Sequence, residues 1–299
     1  MRLVVPYPPG GGADLTGREI ARKLTEAWGQ QVVVDNRGGA AAAIGHALGA
    51  KAAPDGYTLL MGTSGGLVTT PAMGVKLPYD PVKDFVPIGL AVYAPWVLTI
   101  NPGVPAHNVK EFVDVARGRT GANAKKLNFA SPGTGTPNHL GGVMLMAMTG
   151  IQLLHVPYKG GALALTDLIA GQVDAYYSSF GSIGPHLKTG RVRAIAVGHP
   201  TRLKAWAHVP AVAETYPGYD NSGWYGVLAP NGIPQALVKK INADLNRGFA
   251  EADIAKRMDV LGMEVATTTP AGLAELIRTQ QERWRKVLKE SGITGEQLQ

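Results

Sequence analysis

The chain has 299 residues, 45% of them hydrophobic and 17% charged, with mean hydropathy near zero and no cysteine. Such a composition reads as a soluble globular chain long enough for two lobes, and it excludes disulfides, thiolate metal sites and cysteine nucleophiles. The net charge of +7 favours anionic partners, but Lys and Arg are scattered. The two mild concentrations, Lys188 to Lys204 and Arg278 to Lys289, lack the interleaved aromatics of a stacking platform, so solvated basic faces are expected and nucleic acid is not. No apolar run approaches the ~20 residues of a membrane span.

In chain order, an apolar strand from Leu3 runs into Pro8-Pro9-Gly10-Gly11-Gly12 and a helix whose stripe is Ile20, Ala21, Leu24, Ala27 and Trp28, stopped by Gly29. Gln31 to Asp35 reads as a strand. Arg37-Gly38-Gly39 opens a small-residue helix ending near Ala53, Pro54-Asp55-Gly56 turns, and Tyr57 to Met61 returns as a strand. Leu67 to Pro95 reads as Pro-rich loop, and Leu98 to Pro105 as a crossing into a second lobe. That lobe alternates strands at 127–131, 153–157, 173–177 and 192–197 with helices at 140–148 and 162–170. Tyr219 to Pro230 crosses back, and Pro234 to Ala252 and Thr269 to Glu290 form helices, the latter with Thr269 as N-cap and Pro270 in its first turn. The alternation predicts an α/β architecture: lobe 1 from residues 1–99 and 227–299, lobe 2 from 100–226, a ligand cleft between them and a hinge near 98–102 and 224–228.

Two segments repeat one plan. Leu3 to Leu24 and Leu127 to Met148 each carry a strand into a Gly-rich turn and then a helix, which leaves free backbone N–H groups at a helix N-terminus. One cradle per lobe would grip a small anion from both sides. Asp14 is expected to cap the first helix, while Ser131, Thr134, Thr136 and Asn138 supply neutral donors around the second turn. Neutral donors and helix ends suit reversible carboxylate capture, because they stabilise charge without a tight ion pair.

Catalytic patterns compete with this reading. Gly62-Thr63-Ser64-Gly65-Gly66 matches the G-x-S-x-G nucleophile elbow after an apolar strand, so a serine hydrolase using Ser64 is the alternative. Pro71 interrupts the helix that motif requires, and no convincing amphipathic helix follows, which favours a ligand-donating loop residue. Gly10-Gly11-Gly12 lacks the Lys-Ser/Thr ending of a phosphate loop, and Asn138 holds the place of the third dinucleotide glycine. The seven histidines form no ligand-spaced pair, so neither metal nor cofactor is expected.

The segments VVPYPPGGGADLTGREIARKL, VVVDNRGGAAAAIG, APDGYTLLMGTSG, YDPVKDFVPIGL, NFASPGTGTPNHL, HVPYKGGALALTDLIAGQVD, LKTGRVRAIAV and VPAVAETYPGYD occur in that order. In this the chain resembles the Bug-type, TctC-like substrate-binding receptors of tripartite tricarboxylate transporters. The resemblance implies a non-enzymatic, two-lobed periplasmic-binding-protein fold of the Venus flytrap kind. It also implies a carboxylate ligand, permease subunits as partners, a monomeric receptor and a periplasmic location. The chain enters a strand at Leu3 with no room for an export signal, so the resemblance further implies a signal peptide already removed.

Carried over by position, the family's ligand loops map onto Tyr7, Pro9, Gly10, Gly11, Ala13 and Asp14, onto Thr63, Ser64 and Gly65 beside them, and onto Ser131, Gly133, Thr134, Thr136, Asn138 and His139 in the second lobe. Tyr158, Tyr177 and Ser178 would line the remaining wall. Ala13 stands where Thr is more usual, and Ala175 to Phe180 departs from the family's Met, Phe or Asp. Tyr7, Tyr158, Tyr177 and Trp224 as apolar walls, with Ser178 or Ser179 as a second polar pole, would suit an aromatic acid or a medium dicarboxylate.

Overall fold

The computed structural model describes residues 1–118 and 126–290. Along the chain these form β1 (Arg2–Val5), α1 (Gly12–Trp28), β2 (Val33–Asn36), α2 (Ala43–Ala50), β3 (Thr58–Thr63), a π-helical turn (Gly65–Thr69) running into α3 (Thr70–Ala72), β4 (Phe85–Pro95) and β5 (Val97–Ile100). Next come α4 (Val109–Gly118), β6 (Asn128–Ser131), α5 (Pro137–Thr149), β7 (Leu154–Pro157), α6 (Gly161–Ile169), β8 (Ala175–Ser178), α7 (Phe180–Lys188) and β9 (Arg193–Val197). The described chain closes with β10 (Ser222–Pro230), α8 (Gln235–Phe249), α9 (Ala252–Val260), β11 (Glu264–Val265) and α10 (Pro270–Glu290).

These elements fall into two compact units. The first comprises Met1–Tyr93 and Gly223–Lys286; the second comprises Ala94–Ser222 and, among described residues, 287–290. Sequence reading put the crossings at 99/100 and 226/227 and gave the whole chain end to the first lobe, of which residues 291–299 lie outside the described residues.

The first unit is built on a six-stranded mixed sheet in the order β11-β4-β10-β3-β1-β2. β1 pairs parallel with β2 and β3, while β10 runs antiparallel to β3. Leu3, Val4 and Val5 are all fully buried, as are Leu59, Leu60 and Met61 of β3. Strands covered on both faces lose the polar alternation of a half-exposed strand, which is why both read as continuous apolar runs. β2 is the edge, and Val33 is exposed there.

The second unit repeats the plan on five strands, β7-β6-β8-β5-β9. β6 pairs parallel with β7 and β8, and β5 runs antiparallel to β8. Thus β2-β1-β3-β10 of one sheet and β7-β6-β8-β5 of the other share one order and one set of directions. β1 and β6 occupy the same place, each starting a crossover to one side before the chain returns to the other. In open α/β sheets that switch point, at the carboxyl ends of the strands, is where ligands are taken.

Three differences from the sequence reading matter. The stretch from Leu67 to Pro95 contains helical turns and an eleven-residue strand, β4. Pro71 is accommodated because the preceding carbonyls that its missing N–H leaves open, Gly66 and Leu67, accept from Tyr79 Oη at 2.7 Å and Gln281 Nε2 at 2.6 Å. Helices α4, α7 and α9 add elements that the sequence reading lacked.

Candidate functional site

In the first unit the turn between β1 and α1 is held by the chain itself. Gly10 adopts φ +91°, a conformation that disfavours any side chain. The α1 N-cap is Gly11, not Asp14 as expected, and it makes no side-chain cap. Asp14 lies two residues into the helix, buried, and its carboxylate reaches back to accept from the Gly10 amide at 2.9 Å, Arg18 Nε at 2.9 Å and Asn36 Nδ2 at 3.0 Å. Asn36 Nδ2 also donates to the Tyr7 carbonyl at 3.0 Å, tying both ends of the turn to β2. Burial pushes the Asp14 carboxyl up, but Arg18, the Gly10 amide and Asn36 outweigh it, leaving the carboxyl below its ordinary value. The amides of Gly11, Gly12 and Ala13 donate to no internal partner among the described residues, and Gly11 is exposed.

Beside this turn, β3 delivers Thr63, Ser64 and Gly65, all buried. The Thr63 hydroxyl accepts the Gly66 amide at 3.2 Å and meets the Tyr7 phenol, which is half-buried. Ser64 has φ −56° and ψ −34°, ordinary right-handed helix, rather than the strained turn that thrusts out an elbow nucleophile. The histidine nearest its turn, His46, packs its ring on Gly66 and puts Nδ1 on the Ala42 carbonyl at 2.9 Å. Burial holds His46 near 4, against the pull of that carbonyl.

The second turn, between β6 and α5, is likewise self-bonded. Ser131 Oγ donates to the Gly133 carbonyl at 2.9 Å, and Thr136 Oγ1 to the same oxygen at 2.7 Å. Thr136 is the α5 N-cap and accepts the His139 amide. His139 Nδ1 accepts the Gly135 amide at 3.1 Å, so its proton sits on Nε2. His155 Nε2 lies 2.7 Å from Ser131 Oγ, and the two imidazoles stack with centroids 3.8 Å apart. Burial, then His155 alongside, holds His139 at about 3; burial holds His155 at about 4. Both are neutral at physiological pH. Asn138 Nδ2 donates to the Tyr177 carbonyl at 2.6 Å, whereas Thr134 is exposed at the tip.

The remaining expected wall residues are largely engaged within the units. Tyr177 is fully buried and its phenol accepts from Tyr219 Oη at 3.0 Å. Ser178 is fully buried, its Oγ 2.7 Å from Thr99 Oγ1. Tyr158 Oη donates to Asp167 at 2.7 Å, and Trp224 is fully buried with Nε1 on Gln280 Oε1 at 2.8 Å. Of the four aromatics expected to form walls, Tyr7 alone stands beside a ligand-loop turn without a carboxylate or core partner.

Sequence reasoning missed His155, Tyr79 and Tyr225. Tyr79 Oη donates to the Gly66 carbonyl at 2.7 Å and its ring stacks on His46. Tyr225 stands opposite Thr63 in the β3–β10 pairing. For His155 and Tyr225 the signal was a long-range pairing register that no local pattern carries. No group of metal-ligating side chains is assembled among the described residues, and no described helix is long and apolar enough to cross a membrane.

Residues 16–293 match the model of the tripartite tricarboxylate transporter family receptor. The chain belongs to that family. Its fold is that of the family's α/β, two-lobed periplasmic binding proteins, and the family consists of non-enzymatic receptors. The chain is similar to Rpa4515 of R. palustris, solved with adipate, at 32% identity and TM-score 0.86 over 98% of this chain and 97% of that one. It is similar to the periplasmic binding protein BugD at 34% identity and TM-score 0.82, covering 98% of each chain. MatC from Rhodopseudomonas palustris, solved with bound malate, matches at 30% identity and TM-score 0.80 over 96% of this chain and 98% of that one.

Proposed function

We propose that this receptor captures a small aliphatic dicarboxylate in the periplasm, as a monomer, and presents it to the permease subunits of a tripartite tricarboxylate transporter. The observation carrying this reading is the matched pair of strand-to-helix turns, one after β1 and one after β6, at the same topological position of two sheets of one plan. The first turn offers amides at Gly11 to Ala13 beside the hydroxyls of Tyr7 and Thr63; the second offers the exposed Thr134 tip over a neutral histidine pair. Each carboxylate of the ligand goes to one turn, and Ser64, Gly65 and Gly133 contribute backbone to the grip. Donors without net charge hold an anion while still letting it leave for the permease.

Relatives solved with adipate and malate support the dicarboxylate class. Tyr177, Ser178 and Trp224 are engaged in the cores and Tyr158 on Asp167, so an aromatic acid has few remaining walls, and we place those four outside the ligand contacts. Closure about the chain crossings then marks the loaded receptor for the permease. The net charge of +7 draws anions only within the ~8 Å screening distance at physiological salt, so selectivity is local to the turns.

A thermal-shift screen across aliphatic dicarboxylates, aromatic acids and amino acids tests this. Stabilisation by dicarboxylates is the expected result; stabilisation by amino acids alone would overturn the ligand assignment.

A further inference from the structure

Strand β10 is buried at every position but one. From Ser222 to Pro230 only Tyr225 keeps appreciable exposure, while Trp224 beside it points into the core with its indole N–H bonded to Gln280. The β3–β10 register sets Tyr225 across from Thr63, the residue whose hydroxyl meets Tyr7. On its other side the Tyr225 hydroxyl oxygen lies 3.9 Å from where a Cβ on Gly12 would stand, at the first residue of α1. Burial, then the neighbouring Tyr7 phenol, pushes the Tyr225 phenol up, and burial pushes Tyr7 up against the hydrogen bond from Thr63, so both remain protonated at neutral pH.

Among the described residues the Tyr225 hydroxyl has no hydrogen-bond partner, in contrast to Tyr79, Tyr158 and Tyr219, whose hydroxyls all donate within the chain. Its part-exposed side chain leaves that hydroxyl open to an incoming acceptor. Gly12 also has no side chain to screen it.

We propose that Tyr225 is a ligand-contacting residue whose phenol O–H donates to a carboxylate oxygen of the bound dicarboxylate, completing with Tyr7 a pair of phenols on one carboxylate. The assignment rests on the dicarboxylate reading above. It adds a contact contributed by the returning strand β10, far in sequence from either glycine turn. An O–H donor bonds a charged carboxylate oxygen more strongly than a neutral amide oxygen, so the contact favours a carboxylate.

Calorimetric titration of adipate into the wild type and Tyr225→Phe tests it, with the melting temperature of each unliganded protein measured alongside. The expected result is roughly tenfold weaker binding by the variant at an unchanged unliganded melting temperature, as for a lost hydrogen bond to a charged group. Equal affinities in the two proteins would overturn the role of Tyr225 and leave the dicarboxylate reading standing. A wild type that binds neither adipate nor malate would overturn that reading and Tyr225 with it. Should the Phe variant not fold, 3-fluorotyrosine placed at 225 gives a second readout: its fluorine resonance shifts on adding adipate, and an unmoved resonance at saturation overturns the contact.

Discussion

The Asp14 carboxylate accepts the Gly10 amide at 2.9 Å, so the first glycine turn is closed by a charge belonging to the chain itself. In the proposed function an incoming anion would meet the next amides, Gly11 to Ala13, and hydroxyls, while Asp14 is balanced by Arg18 and Asn36. Arg18 is more than half exposed, so its ion pair is screened and the buried hydrogen bonds matter more. Asp14→Ala is expected to cost about 1–3 kcal/mol in denaturant unfolding and to weaken dicarboxylate binding through the loosened turn. Because the carboxyl is held below its ordinary 3.8, its contribution is fully present above that pH and declines as pH falls through the lowered native value. Asp14→Asn should flatten that acid limb of the stability curve, as followed by circular dichroism.

The buried imidazoles predict a second, higher pH window. His46, His139 and His155 are held near 4, 3 and 4, below the ordinary 6.5, so the unfolded chain takes up their protons first. Stability from these groups is complete above about pH 6.5 and falls as pH drops towards 4. His155→Gln, which keeps a polar partner for Ser131, should show a shallower loss of melting temperature between pH 6.5 and 4 than the wild type.

Gly66 is where the π-helical turn lies against the His46 ring. A Cβ there would stand 2.7 Å from Nδ1 and 2.8 Å from Nε2, with Cε1 nearer still. Gly66→Ala is expected to destabilise by about 1–3 kcal/mol through overpacking. Adding His46→Ala removes the obstruction, so the double variant should be more stable than the sum of the two single effects predicts, a non-additivity that a double-mutant cycle measures.

Ser64 tests the absence of turnover. Its backbone is helical, and His46, whose Nδ1 is held by the Ala42 carbonyl, has its Nε2 unpartnered rather than bonded to the Ser64 hydroxyl, so activated esters should be hydrolysed at the same background rate by wild type and Ser64→Ala. A rate that fell to the uncatalysed level only in the variant would restore the hydrolase reading.

Much of the fold was legible because its signals are local. The apolar runs at Leu3 and Leu59, the Gly29 and Gly150 helix stops at φ +61° and +71°, and Thr269 accepting the Gly272 amide all follow from short stretches of chain. α4 was equally legible and overlooked: Asn108 and Glu111 form a reciprocal cap, with Val109, Phe112, Val113 and Ala116 as its buried stripe. α7 is masked by Gly181, Gly184 and Pro185, which depress helix propensity until packing of Phe180 and Ile183 overrides it. At the site, the two glycine turns were visible, but the fates of individual side chains were not. Tyr177 and Ser178 follow one another in β8 and would point to opposite faces, yet both faces are covered, and only the sheet order makes that so. Tyr225 depends on a pairing between residues more than half the chain apart.

The proposed function has one dicarboxylate shared between the turn after β1 and the turn after β6. A crystal structure of the protein grown with malate or adipate tests it most directly. The predicted result is one carboxylate within hydrogen-bond reach of the Gly11 to Ala13 amides and the other at residues 131–139; a ligand bound to one turn alone, or remote from both, would contradict it.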